Sequence, residues 1–289
     1  MTEAKKEEIK KKKQEKVDQK IGSSKSEDKT KTKTHGEILR QQIIEGCETY
    51  DRHSRSILLS SFTAGLEMGF SFLLIGTVFH FFSGYFPEKA LFKLIAFVYP
   101  VGFILVILGQ SILFTEQTSL LTLPVLSNKR SVLSLFKIWG LVILGNLTGG
   151  ILISLTLVWI GPRLGIFTEA DVAKIGQHFS DFEFYTIFIS SVLAGWLMGL
   201  LSWLVTSSRE TIGEIFIIYL ITAVMGFAGL HHSIIGNIEI FSGMLVSPDI
   251  DLFIYLKTLF LSIIGNAVGA TVFVALLKYR AFVFNIKNI

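Results

Sequence analysis

Two adjacent histidines, His231 and His232, stand inside an apolar run of about residues 212–246. Imidazole titrates near pH 6.5, so a modest change of surroundings moves it between a neutral hydrogen-bonding ring and a cation. An ionisable side chain in a lipid-length apolar run marks function by default, because burying it is costly. A second polar interruption, Leu113-Phe114-Thr115-Glu116, splits the run of about residues 91–126. Thr115 brings a hydroxyl that donates and accepts, Glu116 a carboxylate, and Leu113 and Phe114 the bulk to narrow a path. A helix broken at this depth frees N–H groups on one arm and carbonyls on the other, and the N-terminal ends attract anions. The chemistry on offer is proton handling and anion binding. Plainer readings stand beside it: Thr115 bonding back to its own helix at a kink, and His232 as a neutral ring fixed between helices. Glu67, Glu214 and Glu239 also fall in or beside apolar runs, where each must be paired, protonated or near a vestibule. Glu116, next to Thr115, is the carboxylate expected to face the path.

The elements that must position these residues are membrane helices. Of 289 residues 51% are hydrophobic and only 17% charged, with a mean hydropathy of +0.57, so lipid is the solvent for most of the chain. Twelve of the 27 Lys and Arg lie before residue 35, which makes the net charge of +4 a property of the tail. That tail has no aromatic interleaving, and no nucleic-acid partner is expected. The lone Cys47 excludes an intrachain disulfide and a cysteine metal cluster. No metal site, cofactor or secretory signal is read. Residues 1–34 read as a disordered basic tail and 35–56 as an amphipathic helix at the cytoplasmic surface. Six spans follow, at about 57–82, 91–126, 132–160, 185–206, 212–246 and 252–277. Gly161-Pro162 ends the third, 163–184 is a long polar loop, and 281–289 is a short cytoplasmic tail.

The spans repeat. Ala64-Gly65-Leu66-Glu67-Met68-Gly69 returns 130 residues later as Ala194-Gly195-Trp196-Leu197-Met198-Gly199. Leu144-Gly145-Asn146-Leu147-Thr148-Gly149 returns 120 residues later as Ile264-Gly265-Asn266-Ala267-Val268-Gly269. The repeats are 57–160 and 185–280 within one transmembrane domain, 57–280. Three spans per half is odd, so the second half enters inverted. Broken second and fifth spans at matching places point to a midplane transport site. The Thr115 and His232 loops are counterparts. Gly145, Gly149, Gly265 and Gly269 have the small-residue spacing of close helix packing, with Asn146 and Asn266 able to bond the loop backbone. Lys129, Arg130, Lys137 and Arg209 concentrate on one side, which places both termini in the cytoplasm of a cell (inner or plasma) membrane.

Tyr99-Pro100-Val101-Gly102-Phe103, then Leu113-Phe114-Thr115, both Gly-Asn elements and the His232 loop together resemble the formate/nitrite transporter family over about residues 36–280. The resemblance implies a homopentamer of six-helix protomers with an aquaporin-like fold, each with its own pore for small monovalent anions or their acids. By motif it carries the central Thr and His onto Thr115 and His232, and the constriction onto Leu113 and Phe114, with Phe103 and His231 beside the path. This chain departs from the common pattern at His231 before His232, at Gly236 four residues after it, and at Glu116. It is closer to a divergent branch with His232, Gly236 and Glu239 in register. The resulting expectation is an all-α channel or transporter, not an enzyme, for formate, nitrite or similar anions, with protons moving through His232. The rivals are a pore for neutral solutes, which the lack of paired Asn-Pro-Ala loops opposes, a membrane enzyme or haem protein using His231, His232 and His80, and a non-conducting scaffold.

Overall fold

The protein, seen here as a computed structural model, is described over residues 3–23 and 32–287, and is helical throughout with no strand among those residues. After α1 (Glu3–Ser23) and α2 (His35–Asp51), the membrane domain opens with α3 (Ser54–Phe82). At 29 residues α3 is about 43 Å long, enough to cross a bilayer. The second span is α4 (Glu88–Leu94), a tight turn at Ile95–Phe97 and α5 (Pro100–Leu108). A non-helical stretch follows before α6 (Phe114–Leu126). The third span is α7 (Val132–Leu164). The helix α8 (Glu169–Ser180) then leads to the second half: α9 (Phe184–Ser207), α10 (Thr211–Ala228), the short α11 (Ser233–Val246) and α12 (Leu252–Ala270). A π-helical turn at Thr271–Leu276 carries α12 into α13 (Leu277–Lys287). Six helical stretches have the length and hydropathy of membrane spans, arranged as two inverted three-span repeats with the second and fifth broken.

Glycine sets the pairing within each half. α3 lies along α7, and α9 along α12, as the two most extensive helix contacts in the protein. A Cβ on Gly145 would stand 2.6 Å from the Ser61 Cβ, and one on Gly265 would stand 2.5 Å from the Ser191 Cβ. On Gly149 it would strike the Phe62 carbonyl, and on Gly269 the Val192 carbonyl. These positions are glycine because backbone meets backbone there.

The breaks have local causes. Gly229, in the left-handed region at φ +68°, ends α10. Gln110, at φ +58°, turns the chain after α5 in a conformation unusual for a side-chain-bearing residue. Pro100 starts α5 without an N–H of its own. The Ser71 hydroxyl steadies that hinge by donating to the Tyr99 carbonyl at 2.6 Å and accepting from the Gly102 N–H at 2.8 Å.

Several boundaries differ from those expected. Within the segment 1–34, read as disordered, residues 3–23 form α1, because Val17 and Ile21 find apolar cover in a cluster with Leu39, Trp203 and Tyr279. The rest of that expectation falls partly on residues 1–2 and 24–31, which lie outside the described residues. The apolar face of α2 packs on protein: Ile38, Leu39, Gln42, Ile43 and Gly46 are buried, mostly beneath α6 and α9. Residues 54–56 already belong to α3. Pro162 does not end α7, which runs on to a left-handed Gly165. The loop 163–184 contains α8, begun by a capping box between Thr168 and Asp171. The last span continues as helix beyond residue 280, so 281–287 of the short tail are helical.

Candidate functional site

The two short helices α6 and α11 bring their N-terminal ends together at the buried centre. His232 Nε2 lies 2.6 Å from Thr115 Oγ1. Its Nδ1 accepts the Ile234 and Ile235 N–H groups at 3.3 and 3.4 Å, so the imidazole caps α11. An Nδ1 that accepts carries no proton, which puts the ring proton on Nε2 and makes His232 the donor to Thr115. The Thr115 hydroxyl then keeps its own proton free to give. The Phe103 and His232 rings stand at 80° to each other with centroids 5.1 Å apart.

Each break is held by one asparagine. Asn146 Oδ1 accepts the Phe114 N–H at 2.8 Å, while its Nδ2 donates to the Ser61 and Ile112 carbonyls. Asn266 Oδ1 accepts the Ser233 N–H at 2.8 Å, while its Nδ2 donates to the Ser191 and His231 carbonyls. Serines complete the symmetry: Ser60 Oγ accepts the Ile112 N–H, and Ser190 Oγ accepts the His231 N–H. The asparagines therefore clamp the breaks as well as packing beside glycine, and Ser60 and Ser190 share that work. The serine pairs escaped the reading of the residues, although Ser60-Ser61 and Ser190-Ser191 recur at the 130-residue offset already seen.

The two ends differ in one respect. On α11, Asn266 and the His232 ring take the first three N–H groups. On α6 only the Phe114 N–H is taken; those of Thr115 and Glu116 have no partner among the described residues. The positive end of α6 thus points beside the Thr115 hydroxyl and the His232 ring.

The other expected residues are placed as follows. Leu113 and Phe114 are buried at the break, with Phe114 edge-on to Trp139 at 5.7 Å. His231 is turned from the centre: Nδ1 meets Ser190 Oγ at 2.9 Å and Nε2 the Phe179 carbonyl at 3.0 Å, and Phe182 packs on the ring. Both nitrogens are occupied by structure, so His231 braces the loop and is not brought to Thr115. Glu116 opens into a cavity of about 410 Å³ below α6, lined with Lys33, Glu45, Glu48, Arg52 and Glu214 among others. In its wall, Lys33 donates to the Thr206 carbonyl at 2.6 Å and ties the segment before α2 to the end of α9. Outside the spans, burial pushes the Glu45 carboxyl above its ordinary range, and burial lowers Lys33.

The fold and this geometry have counterparts in known proteins. The family model described as formate/nitrite transporter matches residues 36–280. Among curated proteins, the inner membrane protein YfdC of Escherichia coli is 29% identical over 84% of this chain and 77% of its own length. The uncharacterized transporter YrhG of Bacillus subtilis is 26% identical over 85% of this chain and 92% of its own. A probable formate transporter of Methanothermobacter thermautotrophicus is 24% identical over 78% of this chain and 88% of its own. Two solved structures share the fold: an FNT family ion channel at 21% identity, with a TM-score of 0.74 over 84% of this chain and 98% of its own, and a pentameric formate channel with formate bound at 22%, with a TM-score of 0.68 over 79% and 97%. A multi-pass membrane protein with two inverted repeats and a family model matched across its whole transmembrane domain, this chain belongs to the formate/nitrite transporter family.

Proposed function

We propose that the chain is a membrane conduit for small monovalent anions of weak acids, formate or nitrite being typical, moved together with a proton. One observation supports this most: Thr115, paired with His232, stands at the unpaired positive end of α6 where the two breaks meet. An anion stripped of water in hydrocarbon costs many kcal/mol, far more than one hydrogen bond returns. The free N–H groups of Thr115 and Glu116 and the Thr115 hydroxyl replace part of that water. A proton bound to the carboxylate removes most of the remaining cost.

His232 holds Thr115 in a donating posture. Moving a proton through the ring itself requires protonation at Nδ1, which breaks the cap on α11; the ring must turn for that step. Glu116 and the cavity below form the vestibule on the side of the termini. That side is cytoplasmic in this reading, since Lys129, Arg130, Lys137 and Arg209 gather there. Residues 57–280 form the transport unit, and 35–56 support it from below. The exposed apolar side chains of the spans, such as Leu133, Phe136 and Phe253, meet lipid or neighbouring protomers, and a homopentamer is proposed by likeness to the pentameric formate channel.

The test is stopped-flow uptake into proteoliposomes with formate, nitrite, acetate, lactate and hydrosulfide at two pH values. Uptake of at least one anion above empty liposomes, and faster at the lower pH, is expected. Passage of glycerol or water without any anion makes this a neutral-solute pore. No flux from correctly assembled protein makes it a scaffold.

A further inference from the structure

Along one face of α11 three positions lie in line: His232 at the cap, Gly236 and Glu239, spaced four and three residues apart. Glu239 stands about 10 Å beyond His232, on the side away from the chain termini. It is 1% exposed, and its Oε1 has no hydrogen-bond partner among the described residues. Between the two, Gly236 is half-buried, and a Cβ added there would meet no atom within 4 Å. Open space therefore borders this face between two polar side chains.

The opposite wall matches it. On α5, Phe103 faces His232, and Tyr99, one turn back, packs on Phe103 at 5.3 Å and lies within electrostatic reach of Glu239. The elements packed on α11 carry cations, but none is paired with Glu239 among the described residues. α8 carries Glu169, Asp171, Lys174 and His178, with Asp171 bonded to His80 of α3 and His178 stacked on Phe92. α12 carries Tyr255, bonded to Asn237 on another face, and Lys257. α3 also carries Glu67 and, in its first turn, Arg55, α6 carries Glu116, and the charges of α7, Lys137 and Arg163, are near its two ends. None forms an ion pair with Glu239 among the described residues. An ionised carboxylate here would be buried without a counter-charge and would repel an approaching anion.

We propose that Glu239 is a second polar station of the conduit, a selectivity residue that hydrogen-bonds a passing weak-acid anion while its carboxyl carries a proton and turns the anion away when ionised. This rests on the transport reading above and adds a gate charge to it. Protonated, the carboxyl donates to the anion's oxygen in the open space beside Gly236. Ionised, it closes the outer half of the path to negative charge and leaves the Thr115–His232 pair intact. The steepness of uptake against pH then has two sources, the acid itself and Glu239, and a neutral amide removes only the second.

The experiment compares formate uptake by the wild type and Glu239→Gln in proteoliposomes between about pH 5 and pH 8, with pentamer recovery as the folding control. The ratio of the Gln variant to wild type should rise with pH, by up to about tenfold per unit where one group titrates. A ratio flat across the range in a transporting wild type overturns this inference alone. A wild type that carries no formate at any pH overturns the transport reading and this inference together. Infrared spectra of the purified protein give a readout free of flux: a protonated-carboxyl C=O band that disappears on alkalinisation and is missing in Glu239→Gln is expected. No such difference between the two proteins at any pH also overturns the assignment.

Discussion

Asn146 and Asn266 perform one task on opposite halves of the protein: each accepts the first N–H of a half-helix at 2.8 Å and donates its amide to two carbonyls, one on the neighbouring span and one just before the break. Asn146→Ala leaves the Phe114 N–H and the Ile112 carbonyl buried without partners, at about 1–3 kcal/mol each, while the Ser61 carbonyl keeps its bond within α3. The expected result is a clear drop in thermal stability in detergent, matched by Asn266→Ala. Asn146→Asp keeps the acceptor and loses both donors, so it should also fall well below wild type. Wild-type melting of either alanine variant would show that the clamps are dispensable.

At the centre, cap and contact can be separated. His232→Asn retains a capping residue for α11 but cannot span to Thr115. It should assemble normally, carry formate several-fold to about tenfold more slowly, and show an altered pH profile, as expected for loss of a neutral hydrogen bond worth about 0.5–1.5 kcal/mol. Thr115→Val keeps the shape and loses the hydroxyl, with the same order of loss in uptake. Unchanged flux and pH profile in both variants would remove the pair from the mechanism.

The glycines permit a paired test on one helix. In α7, Gly149→Ala drives a methyl group into the Phe62 carbonyl, whereas Gly140→Ala meets nothing within 4 Å. The first should cost about 1–3 kcal/mol of stability. The second should be neutral or gain up to about 1 kcal/mol from helix propensity. Equal melting shifts for the two would mean that the α3–α7 contact tolerates separation.

Outside the spans, the Asp171 carboxylate meets His80 Nδ1 at 2.8 Å and caps α8 through Thr168. Burial raises the Asp171 carboxyl, but the bonds from Thr168 and His80 outweigh it and hold the group below its ordinary value. A depressed folded value stabilises the fold above the ordinary aspartate range, and the gain is lost as pH falls through the folded value. The melting difference between wild type and Asp171→Asn should therefore be full near neutrality and shrink below about pH 4. A difference that grows on acidification would contradict this sign.

Much of the scaffold was legible because lipid leaves few options. Runs such as 57–82 and 185–206 are too apolar and too long to be anything but spans, and the structure moves their ends by only a few residues. The duplicated Gly-Asn elements disclosed the repeat and hence the inverted halves. Less legible were elements whose cover comes from far along the chain. α1 is stabilised in part by Val17 and Ile21 against residues near 203 and 279, so its composition alone reads as unstructured. α8 hides in a polar loop because only one face is buried, against α11.

The amino-acid sequence by itself determined the number of spans, their duplication, the two breaks and the presence of one hydroxyl and one imidazole in them, since each follows from hydropathy, spacing and residue type. Tertiary structure decided which histidine meets Thr115. His231 and His232 are neighbours with the same chemistry, and only the direction of the chain entering α11 turns one ring to the centre and ties the other to Ser190 and Phe179. It also decided that Glu239 has no ion-pair partner among the described residues, because that depends on where every helix packed around it places its charged side chains.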